Sequence, residues 1–436
     1  LDFPSLDACC DPSSLSEMLT QNPDVIAAIN RIIAACGQMT ATVQTPFLTI
    51  CDATMSYHLP SCMRLFEASH TPEILREAGL AGLHVDLISE KNGVDKTKLA
   101  HTLRLLATHH IVKELSPDVF ALNRISSTID TGNSFQDIQR TEKKYEGTSG
   151  VAAFVGLCSD EVFKSAAYMT DTYLLSRSQT TRAGTDPTKA PFCFAFGTKH
   201  TTVYSWFYDP NPNRFRLERF GKAMSGTCSW ETPGAILKSF DWQSLPRRSV
   251  IVDVGGGIGS TSMLLASAFS SVEDSGLDLR FIIQDRPIVV GMGEKAWAAK
   301  RPDVSPVIVH DFFTPQPVKQ AAVFLLRVVL HDWPDNFARR ILLRLREAAT
   351  PDTKLLLGEF ILPLACPDET GDISLEGIQG IESALGSPPL LSNLGKASAN
   401  AYWMDMTMQV VFNAQERTLR EIVALAASVG WRVIRV

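Results

Sequence analysis

Clustered positive charge is missing from this sequence. Its 436 residues carry 41 Lys and Arg against 47 Asp and Glu, a formal net charge of −6. Binding to a phosphate backbone rests on gathered Lys and Arg, so nucleic acid is not the expected partner. Cysteine spacing suited to a metal is missing too. There are nine cysteines, an odd number, with no C-x-x-C pair, and Cys9-Cys10 are adjacent. That usage fits reduced thiols in the cytoplasm and no resident metal. The longest apolar run, Ala321 to Leu330, is too short for a bilayer and contains Arg327, so no membrane association is expected. No secretory leader is visible; the chain starts on Leu1 rather than Met, so some residues are expected to be missing from its start. At this length two domains are expected, and 45% hydrophobic with 20% charged residues is ordinary globular composition.

The most informative stretch is Ser249 to Ser260, in which Val250-Ile251-Val252-Asp253-Val254 runs into Gly255-Gly256-Gly257-Ile258-Gly259 and a helical pattern follows at Met263, Leu264, Ala266 and Ala268. This is a strand, a turn and a helix. Glycine permits positive φ and close approach of a ligand, and the amides opening the helix present unpaired donors. The glycines are spaced G-x-G-x-G, unlike the G-x-G-x-x-G of dinucleotide sites, and no Lys follows them, which excludes a triphosphate P-loop. A second apolar run, Arg280 to Gln284, ends in Asp285, where a carboxylate is placed to hold a ribose diol.

Taken in order, residues 1–60 read as helices broken near Thr45-Pro46. Residues 71–125 read as helix, turn, helix and hairpin, a winged-helix pattern, with a turn at Ser116-Pro117-Asp118. Lys96, Lys98, His101 and Arg104 on its second helix are modest for a DNA groove, so a dimerising or structural role is expected. From Val250 onward, strands (250–254, 279–284, 307–309, 323–328, 354–360) alternate with helices (263–270, 287–299, 335–349), implying a parallel sheet. Residues 364–400, rich in Pro, Gly, Ser and Asn, read as an insertion or lid; helices over 403–413 and 418–428 and a strand from Trp431 complete the chain. The expected class is α/β: a Rossmann-like, doubly wound, mostly parallel sheet over 246–436. It is preceded by a helical, winged-helix dimerisation domain (1–130) and a helical connecting region (131–245).

In a parallel sheet all the strands' C-terminal ends open on one edge. That edge receives the glycine loop, Asp285, His310-Asp311-Phe312 and Leu330-His331-Asp332-Trp333-Pro334-Asp335. With these residues in place the sequence resembles the class I S-adenosylmethionine-dependent O-methyltransferases, more closely the plant caffeic-acid type and its fungal relatives acting on phenols and polyketides. The resemblance covers nearly the whole chain, including Phe220 to Met224 and Gln415-Glu416-Arg417-Thr418.

The resemblance implies that His331 takes the acceptor's hydroxyl proton while Glu359 and Glu416 flank and orient it. It implies cofactor contacts at Gly255 and Gly257 (methionine end), Asp285 (ribose), and Asp311 and Phe312 (adenine). Arg327 stands where plant members carry Lys, and the exchange alters hydrogen-bond geometry. Phe220, Met224, Met408 and Phe412 would line the acceptor pocket, and no metal is implied. A phenol of pKa near 10 giving its proton to an ordinary histidine costs about 4–5 kcal/mol, which alignment of the reactants, worth about 7–11 kcal/mol, offsets. A carboxylic acid acceptor needs no base, so His331 favours a phenol or enol. Two other readings stay open: the same fold and cofactor serving a dehydration or pericyclic reaction, and a non-enzymatic winged-helix regulator.

Overall fold

The computed structural model describes residues 2–140, 144–198, 202–207, 214–230, 234–270, 277–300, 307–367, 375–381, 386 and 388–436. The chain divides into two compact units, Leu1–Ala183 with Thr188–Glu231, and Gly184–Pro187 with Thr232–Val436. The region 131–245, set apart on sequence as a connector, is thus split near residue 231, with most of it in the first unit.

In the first unit, helices Pro23–Val43 and Pro46–Met55 each begin with Pro in the first turn, where its missing N–H costs nothing. Helix Pro23–Val43 is long and apolar enough to cross a membrane by length and composition. Asn30, Arg31 and Gln38 interrupt its apolar residues. Strands β1 (Leu83–His84), β2 (Lys113–Ser116) and β3 (Val119–Ala121) form an antiparallel sheet in the order β1-β3-β2. The β2–β3 turn places Asp118 at φ 63°, a conformation Asp tolerates. Helices Thr71–Ala78, Val85–Asn92 and Lys96–Thr108 bury Ile74, Ile88, Leu99, Leu103 and Leu106. Two of the four basic residues on helix Lys96–Thr108 are engaged by carboxylates: Arg104 by Glu114 (3.0 Å) and Asp118 (2.7 Å), and Lys96 by Asp86 (3.1 Å).

The second unit holds five parallel strands, β4 (Val250–Val254), β5 (Arg280–Asp285), β6 (Val307–Val309), β7 (Val323–Arg327) and β8 (Lys354–Gly358), in the order β6-β5-β4-β7-β8. Their side chains alternate between two cores, as the period of two requires. Ile251, Val323 and Leu325 join Met263, Leu265 and Trp297 on one face; Val252, Val254, Phe324 and Leu326 join Ile341, Leu342 and Leu345 on the other. The helix Asp335–Ala348 buries Ala338, Ile341, Leu342 and Leu345, the i, i+3, i+4, i+7 stripe, and each buried Leu or Ile contributes roughly 1.5–3 kcal/mol. Doubly wound packing therefore follows from strands that are apolar on both sides.

One expected element is absent. Residues 431–436 form no strand, only a single bridge between Gln379 and Arg435. Trp431 is drawn instead onto helix Asp335–Ala348, where its Nε1–H donates to the Leu342 carbonyl (3.2 Å) and Arg346 covers its ring. Within the stretch read as an insertion, 368–374, 382–385 and 387 lie outside the described residues. Among those described, Asn393 donates to the Tyr402 hydroxyl (2.8 Å) and Lys396 lies over Trp403. The eight cysteines with described side chains are all free thiols.

Candidate active site

The strand order reverses between β4 and β7: β5 and β6 lie to one side and β8 to the other. A crevice at the C-terminal ends of β4 and β7 is where such sheets bind ligands. The loop leaving β4 has Gly255, Gly257 and Gly259 at φ 70°, 62° and 81°, all in the region that favours glycine. A Cβ on Gly255 would stand 3.1 Å from Val329 and 3.6 Å from the Phe312 ring, so the glycine loop touches both neighbouring loops. Gly256 is required for a different reason: its Cβ would fall 2.5 Å from the Asp253 carboxyl carbon. Asp253 is buried under the loop and accepts the Ser262 hydroxyl at 2.6 Å. Burial pushes its pKa up to about 6, against the opposing pull of Ser262 and Arg327. This acid is therefore a strut that ties the loop to helix Ser260–Phe269.

Asp285, at the end of β5, accepts the Gly257 N–H on Oδ2 (2.9 Å) and the Arg286 N–H on Oδ1 (2.7 Å). Each carboxylate oxygen keeps acceptor capacity for a further donor. Phe312 stands edge-on to Phe313 and Trp333, with centroids 4.9 and 5.8 Å away, forming an apolar wall beside Gly255. Exposed Asp311 caps its own turn by accepting the Phe313 N–H (3.0 Å). Arg327 ends β7, where its charge acts on Asp253.

His331 lies in a one-turn helix, Leu330–Asp332, and is 6% exposed. Its Nδ1 meets Glu416 Oε1 at 2.6 Å, and its Nε2 is 3.5 Å from Asp332 Oδ1. Burial alone would lower the imidazole's pKa; Asp332, Glu416 and Glu359 outweigh it and push the value up to about 9. Glu359, just beyond β8, accepts the N–H groups of Val329 (3.1 Å) and Leu330 (2.8 Å) on one oxygen, and burial raises its pKa. The second oxygens of Glu359 and Glu416 are buried without a hydrogen-bond partner. The donor atoms of His331, Glu359 and Glu416 lie within 4.8 Å of one another, a grouping open in principle to a cation. Ligands at ~2.0 Å from a tetrahedral metal stand ~3.3 Å apart, whereas 2.6 Å between Nδ1 and Oε1 is the spacing of a shared proton.

The expected trio thus converges although its members lie on three separate segments. Met408 and Phe412 are buried on helix Ala399–Phe412, which packs against the turn Leu330–Asp332. Phe220 and Met224 belong to the first unit, on helix Arg214–Gly226; Phe220 stacks on Phe207 (4.9 Å) and Met224 is exposed. Three contributors escaped the sequence reading. Asp332 was visible within the His331 motif, but its approach to Nε2 depends on the tightness of the turn. Asp405, which accepts the Glu416 N–H (3.0 Å), carries no local signal; Arg417 stands within the matched segment Gln415–Thr418, but its grip on the turn depends on the path of a distant loop.

Comparison with known proteins gives the family and the fold. The profile of a family described as an O-methyltransferase domain matches residues 178–376. The chain is 37% identical to 4-O-methyltransferase 1 of Phanerochaete chrysosporium over 100% of its own length and 90% of that protein's. Among solved structures, LepI bound to S-adenosylmethionine superposes with TM-score 0.68 at 18% identity, over 95% of this chain and 91% of that one. The mitomycin 7-O-methyltransferase MmcR gives 0.63 at 22% identity, over 92% and 94%. At these identities the structural matches speak for the fold.

Proposed function

Since the chain belongs to the O-methyltransferase family, whose members depend on S-adenosylmethionine, we propose that it methylates a phenolic or enolic hydroxyl of a small aromatic or polyketide-type metabolite, with His331 as the base. The observation that carries the reading is the contact between Gly255 and Val329, which brings the glycine loop to within two residues of His331. The glycine loop, the free acceptor capacity of Asp285 and the wall of Phe312 fit the methionine end, ribose and adenine of the cofactor. When bound, S-adenosylmethionine supplies an electrophilic methyl group on a positively charged sulfur.

The chain's own residues supply the rest. Glu416 holds a proton on Nδ1, which leaves Nε2 as the atom that takes the acceptor's proton. The carboxylates that raise the His331 pKa to about 9 also bring it close to that of a phenol. The mismatch near 10 is then about one unit, roughly 1.4 kcal/mol, far below that for an ordinary histidine. A group of that pKa is mostly protonated at neutral pH, so the cofactor's positive charge, which favours the neutral imidazole, gives up part of this match to free the base. Incubation with a methyl-labelled cofactor and a panel of phenols, enols and carboxylic acids tests this. Label is expected on phenols or enols; transfer to carboxylic acids alone would remove the need for a base. Conversion of an acceptor without transfer of label would point to the rearrangement reading.

Homodimerisation through the first unit belongs to the same proposal. Ile32, Met39, Val43, Phe47, Leu48 and Ile50 are all more than half exposed on two consecutive helices, an apolar patch of the kind that marks an association site. Sedimentation at micromolar concentration is expected to give twice the 47.8 kDa chain mass. A single species at the chain mass would refute it.

A further inference from the structure

We propose that Arg417 is a positioning residue for the base: it grips the turn carrying His331 from both sides and thereby keeps the imidazole in register with Glu416. The inference rests on the reading of His331 given above, but its evidence is separate. The guanidinium donates through Nη1 to the Leu330 carbonyl (2.9 Å) and through Nη2 to the Trp333 carbonyl (2.7 Å), so its two contacts bracket His331 in sequence. Its Nε–H donates to Asp335 Oδ1 (2.9 Å), which fixes the plane of the fork. The side chain is 4% exposed.

Two amides at the start of the turn are held by a carboxylate. Glu359 accepts the Val329 and Leu330 amides, so a carboxylate holds the donors while a guanidinium holds the acceptors. The turn needs such restraint. Val328, immediately before it, has φ 55°, a left-handed conformation that a β-branched residue adopts only under constraint, at about 1–3 kcal/mol. Beyond that, Arg417 is the residue after Glu416. Its carbonyl accepts the Leu362 N–H (3.0 Å), and Arg417 pairs with Ile361 beyond the end of β8. One dipeptide therefore holds both the imidazole, through Glu416, and the backbone on which the imidazole stands, through Arg417. A shift of either moves Nδ1 relative to Oε1.

A planar fork on two carbonyls is a geometry Lys does not reproduce, while Lys preserves the charge. The test is therefore Arg417→Lys in the full chain, with His331→Ala alongside. In Arg417→Lys, kcat is expected to fall on the order of ten- to a hundredfold, as a misplacement of about 1 Å produces, with the cofactor dissociation constant nearly unchanged. NMR titration of the His331 ring, assigned by its absence in His331→Ala, is expected to show a lower pKa as the Glu416 contact loosens. A merely structural role would lower the melting temperature and leave that titration where it was. An unchanged ring titration overturns the inference whatever the activity. Full activity in His331→Ala would instead overturn the base assignment, and the ring titration in Arg417→Lys would still decide whether Arg417 positions it.

Discussion

Replacing His331 with Ala is expected to reduce methyl transfer by roughly 10²–10⁴-fold, the usual contribution of a positioned general base. Cofactor affinity should stay nearly constant, because the glycine loop, Asp285 and Phe312 are held by contacts of their own. A loss confined to kcat identifies an interaction made in the transition state, whereas an equal loss of cofactor binding would mean that the site has collapsed. The same residue makes folding depend on pH. The folded-state pKa of His331 is raised from 6.5 to about 9 by Asp332, Glu416 and Glu359 acting against burial. Its stabilisation is therefore fully present below the unfolded value and is lost as pH rises through the folded value. The shift corresponds to at most about 3 kcal/mol. Denaturant titrations are expected to show the advantage of wild type over His331→Gln shrinking between about pH 6.5 and 9. An advantage that grows across that window would contradict the raised pKa.

Removal of the Asp285 carboxylate is expected to weaken cofactor binding by at least about a hundredfold, since hydrogen bonds to a charged group are each worth about 1.5–3 kcal/mol and a ribose diol offers two. Part of the loss is indirect, because Oδ2 also holds the Gly257 amide in place. Asp285→Asn separates the two contributions. The amide oxygen can still accept from Gly257 but carries no charge, so its dissociation constant should lie between those of wild type and Asp285→Ala. Calorimetry with S-adenosylhomocysteine, which needs no turnover, measures both variants, and kcat at saturating cofactor should change little. An unaltered dissociation constant in Asp285→Ala would refute the ribose assignment.

The alternation of strands and helices from Val250 to Lys354 was legible because each element declares itself within a few residues. Apart from Asp253, Val250–Val254 is β-branched and apolar on both faces, and helix Asp335–Ala348 shows its buried stripe directly. The glycine loop and the His331 turn could be placed on one edge because parallel strands leave them no other. Helix Pro23–Val43 was anticipated together with its break at Thr45-Pro46, whereas the strand anticipated from Trp431 did not form. Helical periodicity is local, whereas a β-type pattern at the chain's end depends on a neighbour, and here pairing stops at the single bridge between Gln379 and Arg435.

Composition, period and turn chemistry were enough to indicate the class of fold and the place of the glycine loop, and family resemblance supplied His331 as the candidate base. The packed chain was needed for everything that depends on distant partners: Glu416 on Nδ1 of His331, the grip of Arg417, the strut made by Asp253 and the left-handed backbone at Val328. The distinction is physical. Backbone propensity and hydrophobic periodicity act over one or two turns of chain. The pKa of a buried imidazole and the strain a turn tolerates depend on charges and carbonyls that only strand order and loop path bring within 3 Å of one another.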